Sequence, residues 1–294
     1  MAKSLKSQIA ANKRRTWLYA LFFLLLMGVV GLAFSYLYRS FALFFWFFGA
    51  ASFYVLIQYF LASRLALFSA GAKATDAKRQ PRLYRITSTL ASEAKLPLPK
   101  LYIIEDPAAN AFATGISPDK ASVAVTTGLI DLMDDKELAA VIGHELSHIK
   151  NYDVRLNMLI FGLVSVLGFL SDFCLRALFF SNRRDDDDRS AVGIFLALII
   201  ILLSPLLAMI VQFAISRQRE FLADASSAAI IKNPSDMASA LRKLEIQARP
   251  MRRQNVASAA MYITNPMRKS LLKRLFSVHP PLEDRIARLE GVKI

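Results

Sequence analysis

Cysteine is nearly missing: Cys174 is the only one in 294 residues. No disulfide can form within the chain, so a disulfide-stapled scaffold is excluded. Charge is scarce too, at 20% of residues, and acids are outnumbered, with 23 Asp+Glu against 37 Lys+Arg and a formal net charge of +14. No internal repeat occurs, and no zinc-knuckle, RNA-binding or helix-turn-helix pattern accompanies the basic excess, so no nucleic-acid partner is expected. What fills the chain is apolar, with 55% hydrophobic and 11% aromatic residues and a mean hydropathy of +0.38. A disordered chain lacks that much apolar surface, and an ordinary soluble domain does not carry it. The composition is that of a membrane protein with polar mass attached.

Residues 17–38 form an almost unbroken apolar run of 22 residues, about 30 Å long as a helix, which matches the hydrocarbon layer. Lys13, Arg14 and Arg15 precede it. The run is too long for a signal peptide and no small-residue cleavage site follows, so it reads as an uncleaved span. Phe41 to Leu61 is a second run, parted from the first by little more than Arg39 and Ser40, which predicts a tight hairpin. A third run, 156–180, is weaker because Asp172 and Arg176 sit near its end; it spans the membrane, lies in the interface, or packs on protein. Residues 191–215 are a strong fourth candidate, with Pro205 as a possible kink.

Lys and Arg flanking the spans set the orientation. Five precede the first span, 12 lie in 62–155 and 15 in 216–294, whereas the loop at 181–190 holds three Arg against Asp185 to Asp188. Both termini and both polar blocks are therefore expected in the cytoplasm, and the acidic loop outside. The predicted organisation is a cytoplasmic N-terminus (1–16), a transmembrane hairpin (17–61), a first polar part (62–155), a second hydrophobic hairpin (156–215) and a second polar part (216–294).

Within the polar blocks, apolar Leu83, Ile86 and Leu90 at helical spacing predict a helix over 81–95. Short strands are expected at 101–104 and 122–127, the second closed by Gly128. Asp134 and Glu137 have capping-box spacing, so a helix should start near Asp134 and run to about Asn151. Helices are also expected at 216–231, at 235–248 and after Pro280-Pro281. The basic stretch 249–270, with Pro250 and Pro266, reads as irregular and poorly packed. The fold class is thus a mainly α-helical integral membrane protein with a small β-sheet beside its metal-binding helices.

Two of the three histidines fall in Gly143-His144-Glu145-Leu146-Ser147-His148. Positions i and i+4 share one helix face, so both imidazoles can reach one metal ion. Glu145 stands beside them, placed to take a proton from a metal-bound water. Neutral imidazoles suit zinc, which with three protein ligands keeps a fourth position for water. Leu138, Val141 and Ile142 mark the helix as buried, where two unliganded histidines and a glutamate would be costly. Further on, Glu220 and Asp224 lie four apart. Glu220 can complete the site as third ligand, or pair with Arg217 or Arg219. Asp224 can take the second ring N–H of His144, or face solvent.

The chain resembles the HtpX family of membrane-integral zinc metalloproteases, relatives of the CAAX prenyl endopeptidases. The resemblance rests on the N-terminal hairpin, Pro99 to Ile104, Asn110 to Gly115, Val123 to Gly128, His144 to Asp153, the Glu220/Asp224 segment and His279 to Arg285, in order along nearly the whole chain. Gly143 departs from the alanine common in the family, a change expected to matter little. The resemblance implies one zinc per subunit held by His144, His148 and Glu220, with a zincin-type catalytic domain. It implies endoproteolysis of misfolded or unfolded membrane proteins in the cell inner membrane, by attack of a zinc-bound water with Glu145 as base. It makes Asn110, Ala111, Phe112, Ala113, Thr114 and Gly115 the strand on which an extended substrate lies. It gives His279 a hydrogen bond to the oxyanion, the alternative being an ordinary helix-start residue. Arg285 supports the same site, or merely pairs with Glu283 or Asp284. Asn151 and Asp153 end the first metal helix and have no chemical role in this reading. A prenyl-protein processing protease shares the motifs, but only four candidate spans argue against it. A non-catalytic zinc-containing adaptor has no use for Glu145.

Overall fold

A computed structural model describes residues 5–37, 39–163, 217–253, 261–264 and 280–291. The acidic loop, the fourth apolar run, most of the third and His279 lie outside the described residues.

The chain opens with two long helices, α1 (Leu5–Leu37, 33 residues) and α2 (Ala42–Ala70, 29 residues). Both outlast the apolar runs from which they were expected. Lys and Arg form helices about as well as Leu, so α1 continues back through the basic segment to Leu5. α2 continues past Leu61 until Gly71, whose φ of 68° closes the last turn with an N–H bond to Phe68 O. Both are long and apolar enough to cross a membrane. Leu25 and Val29 on α1 and Phe45, Trp46, Phe53 and Phe60 on α2 project outward, as lipid-facing residues must.

The turns of this hairpin nearest the polar domain are not a free stalk. Ala20, Phe23, Met27, Ala62 and Ala66 share one buried cluster with Leu156, Phe161, Phe112 and Tyr262 of the polar domain. Residues 153–163, which open the third apolar run, are helical, and from Leu156 to Leu163 nearly every apolar side chain is buried against protein. Tyr54 of α2 donates to Gly162 O at 2.9 Å.

The polar domain adds a four-stranded sheet of β1 (Lys73–Thr75), β2 (Lys100–Ile104), β3 (Ala111–Thr114) and β4 (Ser122–Thr126), in the order β1-β2-β4-β3. β2 and β4 are parallel; the outer pairs are antiparallel. The three-residue β1 was not expected, being too short for any periodicity. α3 (Pro81–Glu93) packs on α5 (Asp135–Lys150). Between them α4 (Thr127–Leu132) follows β4 directly, capped by Thr126, so Gly128 sits in a helix rather than closing the strand. α6 (Arg217–Ile231), α7 (Pro234–Ile246) and α8 (Leu282–Gly291) complete a second cluster around Leu138, Val141, Leu241 and Ile286.

α5 is fixed in place at both ends and along its sides. The Asp134/Glu137 capping box forms as its spacing implies. Leu138, Val141, Ile142 and Leu146 are fully buried, each contributing about 1.5–3 kcal/mol of transfer free energy. A Cβ at Gly143 would lie 2.8 Å from Ser227 Oγ, which donates to Ala140 O at 2.6 Å, so a larger residue there requires the serine side chain to shift. α6 packs on α5, and that approach brings Glu220 to the histidines.

Candidate active site

α5 presents His144, Glu145 and His148; α6 presents Glu220 and Asp224. All are buried. Asp224 Oδ1 lies 2.9 Å from His144 Nδ1, as its spacing from Glu220 implied. Asp153 Oδ2 lies 3.0 Å from His148 Nδ1. In the neutral rings a proton on Nδ1 would be donated to the carboxylate, which would leave each Nε2 free to hold a metal. Those two Nε2 atoms face each other at 3.1 Å. Glu220 closes the triangle, 3.7 Å from His144 Nε2 and 3.5 Å from His148 Nε2.

This donor set fits a metal ion. Three ligand atoms lie within 4.8 Å of one another, and one cation at their centre would satisfy all three. Two nitrogens bound tetrahedrally to one zinc would stand about 3.3 Å apart for bonds of about 2.0–2.1 Å. The wider charge balance agrees. Glu145, Glu220, Asp153 and Asp224 crowd one buried region, where Arg285 and Arg219 are the cations in contact with them among the described residues. Burial opposes a charge on His148, yet Asp153, Glu220 and Glu145 outweigh it and lift its pKa to about 9. The surroundings of His148 attract positive charge. For His144 burial wins over Asp224, and its pKa falls. Burial pushes Glu145 up to about 7, against the pull of His148 and of the Ala113 N–H that its carboxylate accepts.

Asp153 is the functional residue that sequence reasoning missed. In the sequence it reads only as part of the helix end. Tyr152, at φ 60°, turns the chain back after α5, and this returns Asp153 beneath His148. A carboxylate five residues after a ligand histidine, across a helix end, is the signal that was available. Asn12 on α1 then fixes Asp153, its Nδ2 donating to Asp153 Oδ1 at 2.7 Å and to Asn151 O at 3.0 Å. We expect Asp153→Ala to weaken metal binding on the order of 10–100-fold, the usual scale for a carboxylate behind a ligand. Competition against a graded series of chelators would show it, and unchanged affinity would remove Asp153 from the site.

Arg285 stands at the site itself, against Asp224 and Glu220. It is fully buried and grips Asp224 with two bonds, Nε to Oδ2 at 2.8 Å and Nη2 to Oδ1 at 2.6 Å. Asp224 is held below the usual carboxylate range, Arg285 outweighing burial. Arg285 thus holds the acid that holds His144.

Asn110 and the four residues of β3 are buried, and β3 is the edge strand of the sheet beside α5. Ala113 lines the same cavity as the histidines, Glu145 and Glu220. Asn157 lines it too, its buried Oδ1 without a partner among the described residues; such an acceptor is open to a water or a substrate N–H.

The stretch 249–270 is not uniformly loose. Met251, Tyr262 and Ile263 are each only 1% exposed. Phe112 of β3 bridges to Tyr262 in antiparallel fashion, and Ile263 N donates to Ala111 O at 3.0 Å. An apolar trio, Met261 to Ile263, has found an unpaired strand edge, which is costly to leave open.

Residues 77–293 match the family described as Peptidase family M48. The chain is 45% identical over 285 residues to a protein named Protease HtpX homolog from Tropheryma whipplei (strain Twist), covering 97% of each. It is 42% identical over 291 residues to a Protease HtpX homolog from Streptococcus gordonii, covering 96% of this chain and 98% of that one. Among solved structures, the crystal structure of S. mikatae Ste24p aligns at 18% identity with a TM-score of 0.49, over 84% of this chain and 58% of the other.

Proposed function

The chain belongs to peptidase family M48 and is a membrane metallopeptidase, and from its site we propose a zinc-dependent endopeptidase that cleaves misfolded or damaged membrane proteins in the cell inner membrane. The observation that carries the zinc assignment is the pair of facing imidazole Nε2 atoms closed by Glu220. Two neutral imidazoles and one carboxylate are a catalytic zinc set, with a position left open. A zinc ion held there would supply polarisation of the scissile carbonyl and a water of lowered pKa.

The chain's own groups do the rest. Glu145, buried and with a pKa near neutrality, takes the proton of the attacking water and passes it to the leaving amine. Asp224 and Asp153 fix the two imidazoles in the tautomer that leaves Nε2 free. β3 takes the substrate backbone, which demands extended chain rather than particular side chains. His279 is the proposed oxyanion donor. The shared core of hairpin and polar domain keeps the site beside the membrane surface. The Lys/Arg excess around the polar blocks favours a multi-pass protein with its site in the cytoplasm.

Membrane vesicles test activity and orientation together. Inside-out vesicles bearing the chain should cleave an unfolded protein added outside, stop on chelation and resume when zinc is returned. Sealed right-side-out vesicles should not cleave it. Cleavage indifferent to chelator would sink the zinc reading, and cleavage by right-side-out vesicles alone would reverse the orientation.

A further inference from the structure

We propose that residues 261–264 form an internal strap that occupies the substrate's place on β3, so that the described conformation is a latent one and substrate backbone must displace the strap to enter. The proposal rests on the reading of β3 as the substrate strand.

Asn110, Phe112 and Thr114 lie opposite Thr126, Ala124 and Ser122 of β4, with Thr126 N bonded to Asn110 O. In an antiparallel pair the bonding direction alternates. The N–H and C=O groups of Ala111 and Ala113 therefore point to the open edge, toward the cleft. Two of those four groups are already taken. Ala111 N–H bonds the Asn110 side chain at 3.1 Å, and Ala111 O accepts from Ile263 N beside the antiparallel bridge of Phe112 to Tyr262. An incoming chain cannot pair with Ala111 while the strap is in place.

The strap is held as a bound peptide would be held. Asn110 Nδ2 donates to Thr264 O at 3.0 Å, and Thr264 N donates to Asn110 Oδ1 at 3.3 Å. Tyr262 stacks edge-on against Phe112, with ring centroids 4.9 Å apart. Arg285 Nη1 donates to Ile263 O at 3.4 Å while its other nitrogens grip Asp224. Met261, Tyr262 and Ile263 also wall the metal-site cavity, reducing it to about 10 Å³, scarcely room for one water. No extended peptide fits. A site competent in only a fraction of molecules binds substrate more weakly by that fraction.

The test removes one strap bond and leaves His144, Glu145, His148 and Glu220 unchanged. Ile263→Pro deletes the N–H that bonds Ala111 O and tolerates extended backbone; Ile263→Val keeps it. Both proteins are purified full length with zinc and assayed on a short unfolded reporter peptide that the parent cleaves. Ile263→Pro should raise kcat/KM by about two- to tenfold, the weight of one net hydrogen bond, while Ile263→Val should match the parent. A folded, zinc-loaded Ile263→Pro protein with kcat/KM at or below the parent's would make the strap a fixed wall and overturn the proposal. A second measurement needs no strap variant. In the Glu145→Gln protein, amide exchange across 261–264 should be slow alone and should accelerate when the reporter peptide is bound to saturation. Unchanged exchange with peptide bound overturns the proposal as well. A parent that cleaves nothing would instead defeat the protease reading itself.

Discussion

Glu145→Gln should leave a folded chain with one bound metal ion and should cut proteolysis about 10²–10⁴-fold, the usual contribution of a positioned base. Glutamine keeps the shape of the side chain and can still meet the Ala113 N–H, but it has no affinity for a proton. Neither metal-facing imidazole changes, and neither does Glu220, so metal content should match the parent. Glu145 lies beside the metal cluster and is only 1% exposed; a carboxyl kept there for stability alone would cost more than it returned. Turnover of an unfolded protein, with metal measured on the same sample, decides the matter. A Glu145→Gln protein that cleaves at near the parent rate would refute the base assignment.

Glu220→Ala should have the other large effect, and on a different quantity. It strips the site of its only ligand from α6 and leaves two imidazoles from one helix, an open and weakly held pair. The metal should be lost on dialysis and activity with it. Arg285 and Arg219 would then stand over a site with one carboxylate fewer, and the approach of α6 to α5 would weaken. Elemental analysis reading one zinc per chain in Glu220→Ala would take Glu220 out of the ligand set. Asp224→Ala, which removes the partner of His144 Nδ1 and of Arg285 but no atom facing the metal position, should be milder, on the order of 10–100-fold.

How far the sequence speaks for itself depends on distance along the chain. The α5 motif was legible because its parts lie within one helix turn of each other, and the Asp134/Glu137 capping box fixed its start to the residue. Glu220 and Asp224 were legible because they too are four apart on one helix, although 72 residues separate Glu220 from His148. Asp153 was half legible: its spacing from His148 was visible, but the left-handed turn at Tyr152 that brings it back was not. Asn12 was not legible at all, since nothing local links it to a residue 141 positions away. The grip of Arg285 on Asp224 was hidden by nearer partners, Glu283 and Asp284, which looked sufficient. Met261 to Ile263 were misread for a physical reason: prolines and basic residues around them dominate the composition, while their burial depends on a strand edge far away in sequence.

Asn12 has one more implication. It sits on α1 just before the turns that enter lipid, and its side chain holds the carboxylate behind His148. The anchor is therefore not an interchangeable module. A chimera carrying a foreign transmembrane hairpin could still reach the bilayer, yet it would lack the amide that steadies Asp153, and its metal content would reveal the loss. Evolution faces the same constraint: drift in the anchor's sequence near residue 12 is drift in the catalytic centre. An N-terminal stretch that would pass for disposable targeting sequence thus carries a hydrogen bond of the candidate site.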